Sequence, residues 1–176
     1  MKRFALLCAA VLAVAGTTGP AAAQELTGTL KKIKDTGVVK IGHRDASIPF
    51  SYLDDKQKPI GYGIDICLKI VDAVKAELKM PSLKVEFVPV TSQTRIPILT
   101  GGNIDFECGS TTNSVERQKQ VAFAPTYFMT GTKLIVKKSS GIKGYDGLKG
   151  KTVVYTQGTT NERAMKAYND EKKLGI

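Results

Sequence analysis

Between residues 38 and 108 the sequence switches repeatedly between two hydrophobic periods, and few folds accept such a chain. Residues 38–42 (VVKIG) and 83–90 (LKVEFVPV) read as strands, and NIDFECG at 103–109 supplies a third extended run. Between the first two, Ile64, Cys67, Leu68, Ile70, Val71, Val74 and Leu78 recur at three- and four-residue spacing, which predicts an amphipathic helix with one buried face. Residues 91–102 (TSQTRIPILTGG) read as a polar turn, a short helix and a Gly-Gly stop. The order strand, helix, strand, helix, strand predicts an α/β layer around a parallel sheet. Residues 27–34 (TGTLKKIK) add a helix ahead of the first strand, closed by Gly37. After that strand, residues 43–55 pass through a polar turn into a second extended piece, and residues 54–58 make a hairpin-like turn.

The later part repeats this grammar only once. Residues 121–138 contain extended segments broken by Pro125 and Gly131, residues 145–150 form a turn-rich linker, and KTVVYTQ at 151–157 is a new strand. A helix follows, with Thr159 or Thr160 as its N-cap. A second α/β unit therefore begins near residue 131, and one strand with one helix cannot close a core. The expected organisation is a leader at 1–23, a first lobe at 24–130, and a crossover with the start of a second lobe at 131–176. The sequence reads as cut short at its C-terminal end, and binding by this length alone is expected to be weak.

At the other end, Lys2 and Arg3 precede an apolar stretch from Phe4 to Val14 and a small-residue site at Ala21-Ala22-Ala23. That is the pattern of a cleavable secretory signal, and the stretch is too short for a membrane span of about 20 residues. Cleavage is expected after Ala23, giving a soluble exported product. The net charge is +10, but the Lys and Arg residues are scattered, without a block of five or interleaved aromatics. Nucleic-acid binding is not expected. The mature part holds Cys67, Cys108 and one histidine, His43, without the paired spacing of a zinc site. A disulfide is possible in an oxidising compartment, no metal or cofactor is expected, and Cys67 reads as a small apolar residue on the inner helix face.

Four polar segments share one context, each following a strand: His43-Arg44-Asp45, Thr91 to Arg95, Gly109 to Thr112, and Gln157 to Thr160. Ligands of open α/β sheets bind beyond the carboxyl ends of strands, where helix N-termini also favour anions. Arg44 and Arg95 stand in two separate turns, and a guanidinium matches a carboxylate in a planar fork. Two arginines in two turns point to two carboxylates on one small molecule. Plainer readings stand beside this one. A loop arginine is ordinarily solvated, a Ser/Thr/Gly run is commonly a turn with capping, and a lone histidine such as His43 is usually structural. Asp105 and Glu107 read equally as a solvated strand end, and Glu116-Arg117-Gln118-Lys119 as an exposed helical face.

HRDASIPFSYLDD, GYGIDICLKIVDAV, VTSQTRIPIL, NIDFECGSTTNSVERQKQVAF and LKGKTVVYTQGTT together resemble the periplasmic glutamate/aspartate-binding proteins of ABC importers, within the polar-amino-acid solute-binding family. The likeness runs from about Leu30 to Thr160. It implies a type II periplasmic-binding-protein fold, with two α/β lobes joined by crossover strands and an amino acid held between them. Carried over residue by residue, Arg95 would hold the α-carboxylate with Ser110, Thr112 and Thr160, while Arg44 with Ser92 would meet the side-chain carboxylate. The resemblance further implies periplasmic location, capture of L-glutamate or L-aspartate by a closing monomer, and delivery to ABC permease subunits. It also implies a partner for Cys108 in a later stretch that this sequence does not contain. A Cys67–Cys108 bridge remains open, but is not expected because Cys67 faces the first-lobe core. The rival from another class is an enzyme on the same fold, a dehydratase acting on a small carboxylate, with His43 or Glu107 as its acid–base group.

Overall fold

The computed structural model describes residues 25–176. The leader at 1–23 and its cleavage site lie outside the described residues. Helix α1 (Gly28–Thr36) leads into strand β1 (Val38–His43), and Gly37 takes the left-handed conformation between them, its N–H returning to the Ile33 carbonyl. Three short strands follow: β2 (Ala46–Ser47), β3 (Ser51–Leu53) and β4 (Pro59–Ile60). Helix α2 (Tyr62–Leu78), strand β5 (Lys84–Pro89), helix α3 (Arg95–Thr100), strand β6 (Phe106–Cys108) and the single turn α4 (Val115–Gln118) complete the first part. The later part contains two 3-10 turns, at Lys138–Ser140 and Tyr145–Leu148, and helix α5 (Thr160–Lys172).

The sheet of the first part is parallel with order β5-β1-β6, and β2-β3-β4 form a small antiparallel sheet beside it. The parallel layer, the helices between its strands and the hairpin-like turn are as the sequence predicts. Because β1 lies between β5 and β6, the chain leaves it towards opposite neighbours, and all three strand ends open on one edge. That edge is where such sheets place ligands.

Side chains alternate along these strands, so each face of the sheet has its own cover. Val39 and Ile41 join Ile33, Ile64, Cys67, Val71 and Cys108 in the core on the α1 and α2 side. In α2 the inward residues are Ile64, Cys67, Val71 and Leu78, whereas Leu68 and Ile70, expected on the buried stripe, are exposed, a correction of the sequence reading. The entry of α2 needs Gly61. Its φ is 126°, and a Cβ there would stand 2.7 Å from the Phe50 carbonyl.

Cys67 and Cys108 are joined in a disulfide, with Cα atoms 6.3 Å apart. This corrects the expectation from sequence. Cys67 does face the core, but Cys108 leaves β6 on that same face, and α2 lies across it. Facing the core is what brings the two sulfurs together. Closing a loop 41 residues long restricts the unfolded chain by about 4 kcal/mol in the chain-entropy account.

The strand expected at 151–157 does not form among the described residues, and the extended segments expected in 121–138 enter no sheet there. Helix α5 forms as expected, with Thr159 as its N-cap accepting the Glu162 N–H at 3.1 Å and Glu162 accepting the Gly158 N–H at 2.7 Å. No described helix is long and apolar enough to cross a membrane.

Candidate functional site

Three polar turns meet at the carboxyl edge of the parallel sheet. The first leaves β1 at Arg44. Its backbone is fixed by Ser51, fully buried, whose hydroxyl accepts the Arg44 N–H at 2.9 Å. The second runs from Thr91 to Arg95, where the Thr91 and Thr94 hydroxyls and backbone N–H groups bond one another and start α3. The third is Gly109 to Thr112 after β6.

Arg95 is only 3% exposed, and its Nε and Nη1 have no hydrogen-bond partner. A buried guanidinium with free donors carries a large desolvation cost, and such groups are normally paired. Burial brings its pKa down to about 10; Glu107 opposes this, while Arg117 and Arg44 push it further down. Arg44, Arg95 and Arg117 thus lie near enough for their charges to act on one another. Glu107 stands among them, with its Oε1 buried and unpartnered and its Oε2 accepting the Thr111 hydroxyl at 2.8 Å. Burial raises its pKa, against the lowering influence of Thr111 and the three arginines.

Gly109 makes this crowding possible. A Cβ at that position would fall 2.4 Å from Glu107 Oε1 and 3.0 Å from Arg44 Cγ. Arg44 and Glu107 therefore converge over a residue that must lack a side chain. Above them, the Tyr127 hydroxyl donates to the Gly109 carbonyl, and its ring stands against Phe50 and Tyr62. Burial foremost, with Glu107 behind it, raises the Tyr127 pKa.

The later part of the chain reaches this edge at the start of α5. A Cβ on Gly158 would lie 2.8 Å from Gln93 Cα, so backbone there touches backbone of the Thr91 to Arg95 turn. Thr112 and Thr160 face each other with hydroxyl oxygens 3.3 Å apart. Arg117 spans the junction: Nη1 donates to the Thr112 carbonyl at 3.0 Å and Nη2 to the Gly158 carbonyl at 3.1 Å. Glu116 pairs with Arg163 alongside.

Of the six residues proposed from sequence, Arg44 and Arg95 both act on Glu107, and Thr112 and Thr160 face each other. Ser92 is buried beneath Gly158, and Ser110 is exposed on the third turn. Several plainer readings give way. Arg117 is not on an exposed face; it is 5% exposed and tied to two carbonyls. Four helical residues are too few to show a period, so the inward direction of Arg117 had no signal in the sequence. Asp105 is no solvated strand end: it is buried, bonded to Lys32 Nζ at 2.8 Å and to the Lys40 N–H at 2.7 Å, and it ties α1 to the approach to β6. Glu107 is likewise enclosed. His43 is buried against the Phe87 ring, with Nδ1 at 3.3 Å from the Arg44 carbonyl. It lies on the face with Cys108, opposite Glu107, because paired residues of neighbouring strands point the same way. Ser51 and Tyr127 had no distinctive signal. Among the described residues no three His, Cys, Asp or Glu side chains gather as a metal site.

A parallel sheet with helices on its faces and polar turns at its carboxyl edge defines an α/β protein of the periplasmic-binding type. The chain belongs to the bacterial extracellular solute-binding proteins, family 3, whose sequence profile matches residues 39–173. It is 58% identical over 172 residues to the L-glutamate/L-aspartate-binding protein of Pseudomonas aeruginosa, covering 97% of this chain and 57% of that protein. The glutamate/aspartate import solute-binding protein of Escherichia coli is 50% identical over 172 residues, covering 98% of this chain and 56% of the relative. The chain thus spans little more than half the length of these curated relatives. Among solved structures, the solute receptor for L-cysteine of Neisseria gonorrhoeae superposes with a TM-score of 0.73 at 26% identity, over 82% of this chain and 57% of that one. An ancestral amino acid-binding protein, a precursor of cyclohexadienyl dehydratase, gives 0.70 at 32% identity, over 80% and 61%. These neighbours share the type II fold, of which this chain covers a part.

Proposed function

We propose that this chain forms the ligand-capturing part of an ABC-importer solute-binding protein for acidic amino acids, L-glutamate and L-aspartate. The unpartnered Nε and Nη1 of buried Arg95, near enough to Arg44 to feel its charge, carry this reading. A carboxylate on Arg95 would satisfy both orphaned donors, and a second carboxylate on Arg44 would relieve the repulsion between the guanidiniums. Ser92, Ser110, Thr112 and Thr160 are the polar groups that complete the set. The first lobe, residues 24–130, carries the arginines, and the segment from 131 closes over them through α5. Differential contacts in the closed form then drive capture, and the closed protein delivers its ligand to membrane permease subunits outside the cytoplasm, in the periplasm.

The names of the relatives favour transport over chemistry. The dehydratase-like alternative relied on His43 or Glu107, and these two leave the sheet on opposite faces. Calorimetric titration of the full protein with glutamate, aspartate and glutamine tests the reading. Glutamate and aspartate are expected to bind well ahead of glutamine. Arg95→Ala and Arg44→Ala should each weaken acidic-ligand binding by about 2–5 kcal/mol, about 30-fold or more. Near-wild-type affinity in both variants would overturn the assignment.

A further inference from the structure

Arg44 stands one residue beyond the end of β1, and its backbone polar groups go to side chains. The Ser51 hydroxyl, seven positions along, accepts the Arg44 N–H at 2.9 Å and donates to the Arg44 carbonyl at 3.4 Å. One hydroxyl therefore closes on both polar groups of one residue. Ser51 has no exposed surface, so water cannot replace it in either bond. A second buried side chain stands at the same carbonyl, with His43 Nδ1 3.3 Å away.

Ser51 is itself held from the other direction. It opens β3, where it pairs with Ser47 of β2, and the Leu53 N–H returns to the Asp45 carbonyl at 3.1 Å. Just before it, the Pro49 and Phe50 carbonyls accept the N–H groups of Tyr62 and Gly63 at 2.9 and 2.8 Å. The first free N–H groups of α2 are thus spent on the segment that carries Ser51. Gly61 and Gly63 permit this approach, because a Cβ on either would stand 2.7 or 2.9 Å from the Phe50 carbonyl oxygen. Arg44 inherits its place from a helix of 17 residues anchored in the core. From that support its side chain passes against the third turn, where a Cβ on Gly109 would fall 3.0 Å from Arg44 Cγ.

We propose that Ser51 is the positioning residue for Arg44 and, through it, sets the preference for a side-chain carboxylate over the isosteric amide. This rests on the reading of Arg44 as the partner of the ligand's second carboxylate. A carboxylate accepts two parallel bonds from a guanidinium fork, whereas an amide offers one acceptor and sets its own NH2 donors against the other arm. The discrimination needs a fork that cannot shift to suit either group, and such a fork depends on the residues that hold its backbone. Ser51, without exposed surface, makes no contact with ligand.

The test is calorimetric titration of the full protein with L-glutamate, and with L-glutamine by displacement of bound glutamate. Wild type, Ser51→Ala, Arg44→Ala and the double variant are compared. Ser51→Ala leaves the buried Arg44 N–H without a partner and should lower glutamate affinity about tenfold or more. Glutamine affinity should move by less than about threefold, so that selectivity shrinks. In the Arg44→Ala background the same substitution should cost less than about twofold, because the group it positions is gone. Ser51→Cys, which keeps the shape and offers only a weak acceptor, is measured in the same way if Ser51→Ala does not fold. Unchanged glutamate affinity, equal losses for both ligands, or an undiminished loss in the Arg44→Ala background overturns the proposal and leaves the site reading standing. Wild-type glutamate affinity in Arg44→Ala, by contrast, sinks the Arg44 reading and this proposal together.

Discussion

Val39 and Val154 each stand in a Val-Val pair at the start of a strand-like run, yet Val39 is fully buried and Val154 is 91% exposed. The difference lies outside the local sequence. Residues 38–43 have β5 on one side, β6 on the other and α1 and α2 against one face. Residues 151–157 find no ladder partner among the described residues, and large apolar side chains such as Ile135 and Met129 stand exposed nearby. Strand propensity expresses fitness for a pleated, half-buried surface, and it becomes a strand only where such a surface exists. The first part of the chain closes a core, whereas the later part rests on it through the start of α5.

That contrast can be broken at three points. Inside the first part, reduction of Cys67–Cys108 should remove about 4 kcal/mol of stability, read as a shift in the denaturation midpoint with and without reductant. A loss below about 1 kcal/mol would mean that the core does not depend on its cross-link. At the seam, Arg117→Leu strips the donors from the Thr112 and Gly158 carbonyls and should cost about 1–3 kcal/mol. Limited proteolysis should then cut within 119–176 first, with residues 25–118 holding. Simultaneous cleavage of both parts would erase the distinction drawn here. In the later part, Val154→Ser should change stability by no more than about 0.5 kcal/mol, since an exposed side chain gives up no packing. A larger loss would show that 151–157 is covered in solution.

Much of the first part was legible because its signals are local and repeated. The inward stripe of α2, the stop at Gly37, the helix start at Thr159 and the strand runs of β1 and β5 each carry a period or a cap that needs no distant partner. Arg44 and Arg95 were legible for a related reason: each is an arginine in a turn directly after a strand, and parallel strands bring such turns to one edge. The directions of Arg117, Asp105 and His43 were not legible. Each depends on which face of a short element meets a neighbour from far along the chain. The disulfide was misjudged on the same ground, since Cys67 and Cys108 are brought together only by the way α2 crosses β6.

The sequence by itself determined the alternation of elements, the carboxyl-edge turns and the two arginines within them, because hydrophobic period and turn chemistry act over a few residues. Only the tertiary structure decided that Glu107 is enclosed with three guanidiniums, that Arg117 joins the two parts, and that Val39 is covered while Val154 is not. Burial and electrostatics are properties of what surrounds a residue, and those surroundings are assembled by contacts that no local pattern encodes.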